Sequence, residues 1–134
     1  MNWGKAVLAG AVGGLVVSVY NYLMHGVIMA STYTGHAAFN QGPPKVAWFI
    51  VVAIVIGVMG GILFAKTRDC WGAGVKGGVT FGFFLGLVAF FAQFYWPLVI
   101  NGFPYFLAWC WGGIILIGWM VFGAVAGMMY KTSA

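Results

Sequence analysis

Four long apolar segments constrain this chain more than any other feature of its sequence. Each has about 20 residues or more, which as a helix is enough to cross a hydrocarbon core roughly 30 Å thick. Only 5% of the 134 residues are charged, whereas a soluble domain carries roughly 25%. We therefore expect the chain to be solvated by lipid, with spans at residues 6–30, 46–65, 77–97 and 105–130.

The apolar runs are continuous and not alternating, which favours helices over the strands of a membrane barrel. A backbone in hydrocarbon has to satisfy its own hydrogen bonds, and an α-helix does so within one segment. The predicted fold is an all-α membrane protein, a four-transmembrane-helix bundle that forms a single domain over residues 1–134.

Basic residues predict the orientation of the spans. Lys45 alone falls on one side of the four-span pattern, and the other five of the six basic residues fall on the opposite side. Short loops rich in Lys and Arg stay in the cytoplasm, so both termini and the middle loop are predicted to be cytoplasmic. The bias argues against dual topology, and the basic residues are too scattered for a nucleic-acid-binding face. The five on the predicted cytoplasmic side are Lys5, Lys66, Arg68, Lys76 and Lys131.

Glycine spacing predicts how the helices pack. Glycines recur four residues apart in every span, which places them on one helix face and lets two backbones come close. Because apolar burial does not drive helix association in lipid, this glycine zipper favours a compact bundle, within one chain or between copies. The predicted helix-packing residues are Gly10, Gly14, Gly57, Gly61, Gly78, Gly82, Gly86, Gly123 and Gly127.

Polar residues inside the spans are the candidates for a binding site. On the first span Asn21 and His25 extend the glycine face, and on the third span Gln93 extends a similar face at a similar depth. We expect the two faces to meet and to bring the three side chains together. They would then either form interhelical hydrogen bonds or bind a ligand, because an ionisable residue within a membrane is a functional candidate by default.

Residues for catalysis or metal binding are few. Asp69 is the only acidic residue and falls in the predicted cytoplasmic loop, so the spans offer no carboxylate for proton transfer or for Mg²⁺. The histidines and cysteines of the chain allow two arrangements: a metal site of His25, His36 and Cys110, or haem held by the two histidines. We predict no enzyme activity, no catalytic residue, no metal site and no cofactor.

The first span also carries a resemblance. Its segment AGAVGGLVVSVYNYLMHGVIMA has a glycine-rich start, a polar position and a His-Gly pair before an apolar end. It resembles an uncharacterised group of small four-helix bacterial integral membrane proteins with no established activity. The resemblance implies no substrate, cofactor or catalytic residue. The matching positions are Gly14, Asn21, His25 and Gly26.

Two other classes of small four-span protein do not fit. Small multidrug exporters carry a glutamate in the first helix and small fluoride channels an arginine, and this chain has neither there. The sequence predicts a non-enzymatic structural or accessory protein of the bacterial inner membrane, in contact with lipid, that forms a homo-oligomer or joins other membrane subunits. The alternative is a binding or transport module for a small lipophilic or neutral ligand, held by Asn21, His25 and Gln93.

Overall fold

The computed structural model describes residues 1–131, and within them the chain folds into helices without strands. Four segments are long and apolar enough to cross a membrane, which confirms the predicted class of an all-α protein with four candidate spans. The last three residues of the predicted domain, 132–134, lie outside the described residues. The four segments are Trp3–Ile28, Val46–Lys66, Gly74–Val99 and Tyr105–Met129.

Two of the four spans are interrupted helices. The first consists of α1 (Trp3–Asn21) and a π-helix (Tyr22–Ile28), and the short helix α2 (Ala30–Tyr33) follows it. The third is divided by a 3₁₀ turn at Gln93–Tyr95. The remaining helices are α3 (Val46–Lys66), a 3₁₀ turn at Arg68–Cys70, α4 (Gly74–Ala92), α5 (Trp96–Val99) and α6 (Tyr105–Met129).

The first span begins at Trp3, earlier than its predicted start near Ala6. Asn2 is the N-cap of α1, and its side-chain oxygen accepts a hydrogen bond from the backbone N–H of Lys5 at 3.0 Å. The cap satisfies one of the N–H groups that the first turn of a helix leaves unpaired. Helix formation can therefore begin ahead of the apolar run.

The four long helices pack as two hairpins in a row. α1 runs along α3, α4 runs along α6, and α1 and α6 join the two pairs in the middle. α3 touches α6 over a short stretch, whereas α1 and α4 do not run along each other anywhere in residues 1–131. The order across the row is therefore α3, α1, α6, α4.

Both hairpins bring helix backbones close together at glycines. A Cβ placed on Gly57 of α3 would lie 2.7 Å from the Cα of Gly14 in α1. In the second hairpin, a Cβ on Gly78 of α4 would lie 3.0 Å from the Cα of Gly127 in α6. Contacts this short leave no room for a side chain. Similar approaches occur at Gly10, Gly61, Gly82, Gly86 and Gly123.

The two ends of the row differ in chemistry. The basic end is the one at which Lys5, Lys66 and Lys131 lie around a shared cleft. Nearby, the rings of Phe64 in α3 and Phe81 in α4 pack with centroids 5.2 Å apart, so the outer helices of the row meet there through side chains. The aromatic end, at the opposite ends of the same helices, is the one at which Tyr33, Phe103 and Trp111 cluster.

Candidate functional site

His25 lies where the first span changes from α-helix to π-helix. The backbone N–H of Met29 bonds to the carbonyl of Met24, five residues back, at 2.9 Å. This wider turn covers Tyr22–Ile28. π-helical segments are rare in proteins, and those that occur are often found at functional sites. The helix α2 begins two residues after the π-helix, and its last residue, Tyr33, contacts His25 through its hydroxyl.

Tyr33 is the centre of a hydrogen-bonded group at the aromatic end. Its hydroxyl oxygen lies 2.5 Å from His25 Nδ1 and accepts a hydrogen bond from Trp111 Nε1 at 2.8 Å. The hydroxyl proton can go to His25 Nδ1 or to the sulfur of Met29, which is more distant at 3.7 Å. The shorter contact favours donation to His25, which puts the proton of the neutral imidazole on Nε2.

Aromatic rings of two loops enclose this group. The ring centroid of Phe39 lies 5.0 Å from that of Tyr33, and the centroid of Phe103 lies 5.3 Å from that of Trp111. Gln41 holds the first loop (residues 34–45, between α2 and α3) in place, because its amide nitrogen donates to the carbonyls of Tyr33 at 3.0 Å and Phe39 at 3.2 Å. The loop is therefore held with the ring of Phe39 against the ring of Tyr33.

The environment of Tyr33 keeps its hydroxyl protonated. Burial raises the pKa of the Tyr33 phenol above its ordinary value of 10.0. The hydrogen bond from Trp111 lowers the pKa of Tyr33 because it stabilises the phenolate, whereas the nearby Cys110 raises it further. Tyr33 therefore serves as a hydrogen-bond donor to His25 near neutral pH.

His25 keeps one ring nitrogen free for another molecule. Residues 1–131 supply no hydrogen-bond partner for its Nε2, and the ring is half-buried beside Trp111, with centroids 6.3 Å apart. An imidazole held at Nδ1 in this way can form one hydrogen bond through Nε2 to a neutral carbonyl or hydroxyl. Within the described part of the chain, no three His, Cys, Asp or Glu side chains are grouped so that they could hold a metal ion.

Asn21 is exposed and lines a narrow groove between α1, α3 and α6. The groove has a volume of about 160 Å³, and its walls include Gly14, Gly57 and Gly118. Asn21 is the last residue of α1 and lies seven residues before the end of the first span at Ile28. Its side-chain amide has no hydrogen-bond partner among residues 1–131.

Gln93 does not join the other two candidate residues. Its amide nitrogen donates to the carbonyl of Ala89 at 3.0 Å, and its amide oxygen accepts from Trp96 Nε1 at 3.2 Å. The expected meeting of the first and third spans is wrong, because the glycine face of α1 is filled by α3 and that of α4 by α6. That Asn21, His25 or Gln93 binds a ligand stays a prediction.

Sequence reasoning missed the two residues that hold His25. Trp111 lies near the start of the fourth predicted span, where aromatic residues are common at the membrane surface, and Tyr33 lies just after the first predicted span. Trp111 is 78 positions from Tyr33 in the chain, so no local pattern connects them. The polar tip of each ring was the available signal, since a buried Tyr or Trp usually finds a hydrogen-bond partner.

No protein-family model, curated protein or solved structure matches this chain. The resemblance of its first span to small four-helix bacterial membrane proteins stays a prediction.

Proposed function

We propose that this protein is a non-enzymatic structural or accessory protein of the bacterial inner membrane. It associates with copies of itself, or with other membrane subunits, through the face formed by α1 and α3. Asn21, which carries a polar amide without a partner inside a candidate span, is the observation that supports this proposal most directly.

An unpaired amide is unfavourable in hydrocarbon. Without water to replace the missing partner, each unsatisfied polar group costs several kcal/mol. A second copy related by a two-fold axis would present its own Asn21 to the same face, and an amide can donate and accept at once. Self-association therefore satisfies both amides with one pair of hydrogen bonds.

The groove beside Asn21 gives a second copy room to approach. Gly14 and Gly57 in its wall already pack against each other, and the groove is the space left beside that contact. The adjoining side chains of α3 are large, apolar and exposed, and Ile56 among them also lines the groove. Exposed side chains of this face include Val52, Val55, Ile56 and Met59.

The charges of the loops support an orientation with both termini in the cytoplasm. Five basic residues lie at or near the ends of the spans that hold the termini and the middle loop, against Lys45 alone on the other side. Four of the five line one cleft at the basic end. We therefore place the aromatic end on the periplasmic side.

Substitution of Asn21 by leucine tests the proposed association. The variant Asn21→Leu should weaken self-association about 8- to 900-fold, because it removes both bonds of the pair and an interhelical hydrogen bond in membranes contributes roughly 0.6–2 kcal/mol. The matched control is Thr80→Val, because the Thr80 hydroxyl is exposed but already donates to the carbonyl of Lys76 at 2.9 Å. Both variants also remove one polar group from a span.

The measurement is native mass spectrometry of protein extracted from its own membranes in mild detergent, with a dilution series to give the dissociation constant. The proposal expects an assembly of several copies, or of this chain with other subunits, that Asn21→Leu loosens and Thr80→Val leaves intact. A lone monomer for the unaltered protein, or an assembly that both variants leave unchanged, would refute it.

The free Nε2 of His25 favours a second candidate function, the binding of a small neutral or lipophilic ligand at the aromatic end. The same spectra discriminate the two functions. A bound lipophilic molecule that is retained by the unaltered protein and lost in His25→Ala would support the binding function. His36→Ala serves as its control, because His36 is the other histidine at the aromatic end and its ring pairs with Phe39 and not with Tyr33 or Trp111 within residues 1–131.

A further inference from the structure

A cleft of about 650 Å³ opens at the basic end of the protein. It lies where the start of α1, the end of α3 and the end of α6 come together. Asp69 is the only acidic residue in its wall, and the rest of its charge is positive. The four basic side chains that line it are Lys5, Lys66, Arg68 and Lys131.

Hydrogen bonds at the start of the chain hold this cleft together. The backbone N–H of Asn2 donates to the hydroxyl of Tyr130 at 3.0 Å, which ties the N-terminus to the end of α6. The Asn2 side chain caps α1 and thereby fixes the position of Lys5 in its first turn. Lys66 lies across the cleft with its Nζ 6.0 Å from the ring centroid of Trp3.

Arg68 lines the cleft and has an incomplete set of hydrogen bonds within residues 1–131. Its side chain is only 8% exposed, yet its Nε is buried without a hydrogen-bond partner. One terminal nitrogen donates to the carbonyl of Gly72, and the guanidinium carbon lies 5.4 Å from the ring centroid of Phe64. Buried charges in proteins are normally paired and hydrogen-bonded, so the described residues leave this guanidinium incompletely satisfied.

An anion with several acceptor oxygens would balance the positive charge of the cleft and could accept from the terminal nitrogens of Arg68. Guanidinium groups bind phosphate oxygens with two parallel hydrogen bonds, and lysines add point charges around them. Asp69 is the only acidic side chain of the protein, and four basic side chains line the cleft with it. The ligand chemistry that fits is therefore a phosphate group.

The position of the cleft favours the phosphate of a lipid headgroup. It opens at the ends of the spans, beside Trp3 and Tyr130, and rings of this kind lie at the level of the headgroups. Anionic lipids concentrate phosphate at that level, and basic pockets between membrane helices on the cytoplasmic side bind such headgroups. We infer that the cleft at the basic end binds the phosphate of an anionic phospholipid.

Lipid titrations of the purified full-length protein in detergent test this inference. The probes are phosphatidylglycerol and phosphatidylcholine, with bound lipid counted by native mass spectrometry. The unaltered protein should prefer phosphatidylglycerol, and Lys5→Gln and Lys66→Gln should each lower its affinity about fivefold. Both lysines are exposed, so these variants should fold, and Arg68→Gln should lower the affinity further if it folds.

Lys76→Gln is the matched control. Lys76 is exposed and belongs to the same predicted cytoplasmic loop region, but it does not line the cleft. Equal affinity for the two lipids, or an equal loss in Lys76→Gln and Lys66→Gln, would overturn the inference. A second arm adds inorganic phosphate, and binding of phosphate without a preference for phosphatidylglycerol would assign the cleft to a soluble phosphate and overturn the lipid assignment.

This inference is independent of the proposed self-association. Asn21 lies near the other end of the first span from Lys5, and the two sets of variants share no residue. Failure of one set therefore leaves the other proposal standing.

Discussion

Tyr33 decides what His25 can do at the aromatic end. It holds His25 through Nδ1 and is itself held by Trp111, so the histidine presents its Nε2 in one orientation. A histidine inside a predicted span is a functional candidate by default, and its spacing from Asn21 suggested a partner on the third span. The side chains that His25 meets are instead Tyr33 of α2 and Trp111 of the fourth span.

Loss of the Tyr33 hydroxyl should destabilise the aromatic end. We expect Tyr33→Phe to lower the free energy of unfolding in mild detergent by about 1–2 kcal/mol, because the indole N–H of Trp111 is left without its acceptor. Tyr95→Phe should change it little, since the ring of Tyr95 is 70% exposed. Thermal unfolding followed by circular dichroism measures both.

A double-mutant cycle separates the hydrogen bond from lost packing. If Tyr33 and Trp111 are coupled as the structure has them, Tyr33→Phe should cost less in a Trp111→Phe background than in the unaltered protein. Fully additive losses would show that the bond between the two side chains contributes nothing.

At the scale of the helix, the glycine faces determine which surfaces can approach. Gly57 contacts the backbone of α1, so any side chain there meets main-chain atoms that cannot rotate away. Gly113 of α6 is different, because a Cβ built on it would find no atom within 4 Å beyond its neighbours in the chain and the backbone of its own helix. The same residue type therefore has a packing role at one position and none at the other.

This contrast gives a matched pair of substitutions. Gly57→Ala should lower the free energy of unfolding by about 1–3 kcal/mol, because overpacking forces the backbones of α1 and α3 apart. Gly113→Ala should leave it unchanged or raise it by up to about 1 kcal/mol, the difference in helix propensity between the two residues. Equal effects of the two substitutions in thermal unfolding would exclude glycine contacts as the basis of the hairpin.

At the scale of the whole molecule, the helices form a row of two hairpins with a basic end and an aromatic end. Large apolar side chains are exposed on every span, and on α3 they run along much of the helix. Lipid or another membrane protein covers that face in the proposed arrangement. In the proposed arrangement the basic end faces the cytoplasm.

Cysteine labelling tests this direction. Cys70 and Cys110 are both exposed and free, so each can be removed or kept as the single target. In a Cys110→Ala protein, Cys70 should react with a membrane-impermeant maleimide only after the cells are permeabilised. In a protein without either cysteine, Ala38→Cys in the first loop should react in intact cells, because Ala38 is exposed on the predicted periplasmic side.

Labelling of Cys70 but not of Ala38→Cys in intact cells would show that the orientation is opposite to the proposed one. Equal labelling of both positions in intact cells would indicate dual topology, which the five-to-one charge bias argues against.

The sequence by itself determined that the chain is helical and has four segments fit to cross a membrane. These properties are local: an apolar run of sufficient length has to satisfy its backbone internally, whatever lies beside it. The span limits followed to within a few residues, and the difference at Trp3 came from a capping residue outside the apolar run.

Only the tertiary structure decided which helices pair and which side chains meet. Glycine faces occur on all four spans, so their spacing permits any pairing, and contacts between α1 and α3 and between α4 and α6 separate Gln93 from His25. The π-helix at Tyr22–Ile28 shifts the register of the residues after Asn21, which a regular helical wheel does not anticipate. The site around His25 depends on contacts between residues far apart in the chain, and such contacts are set by how the helices pack.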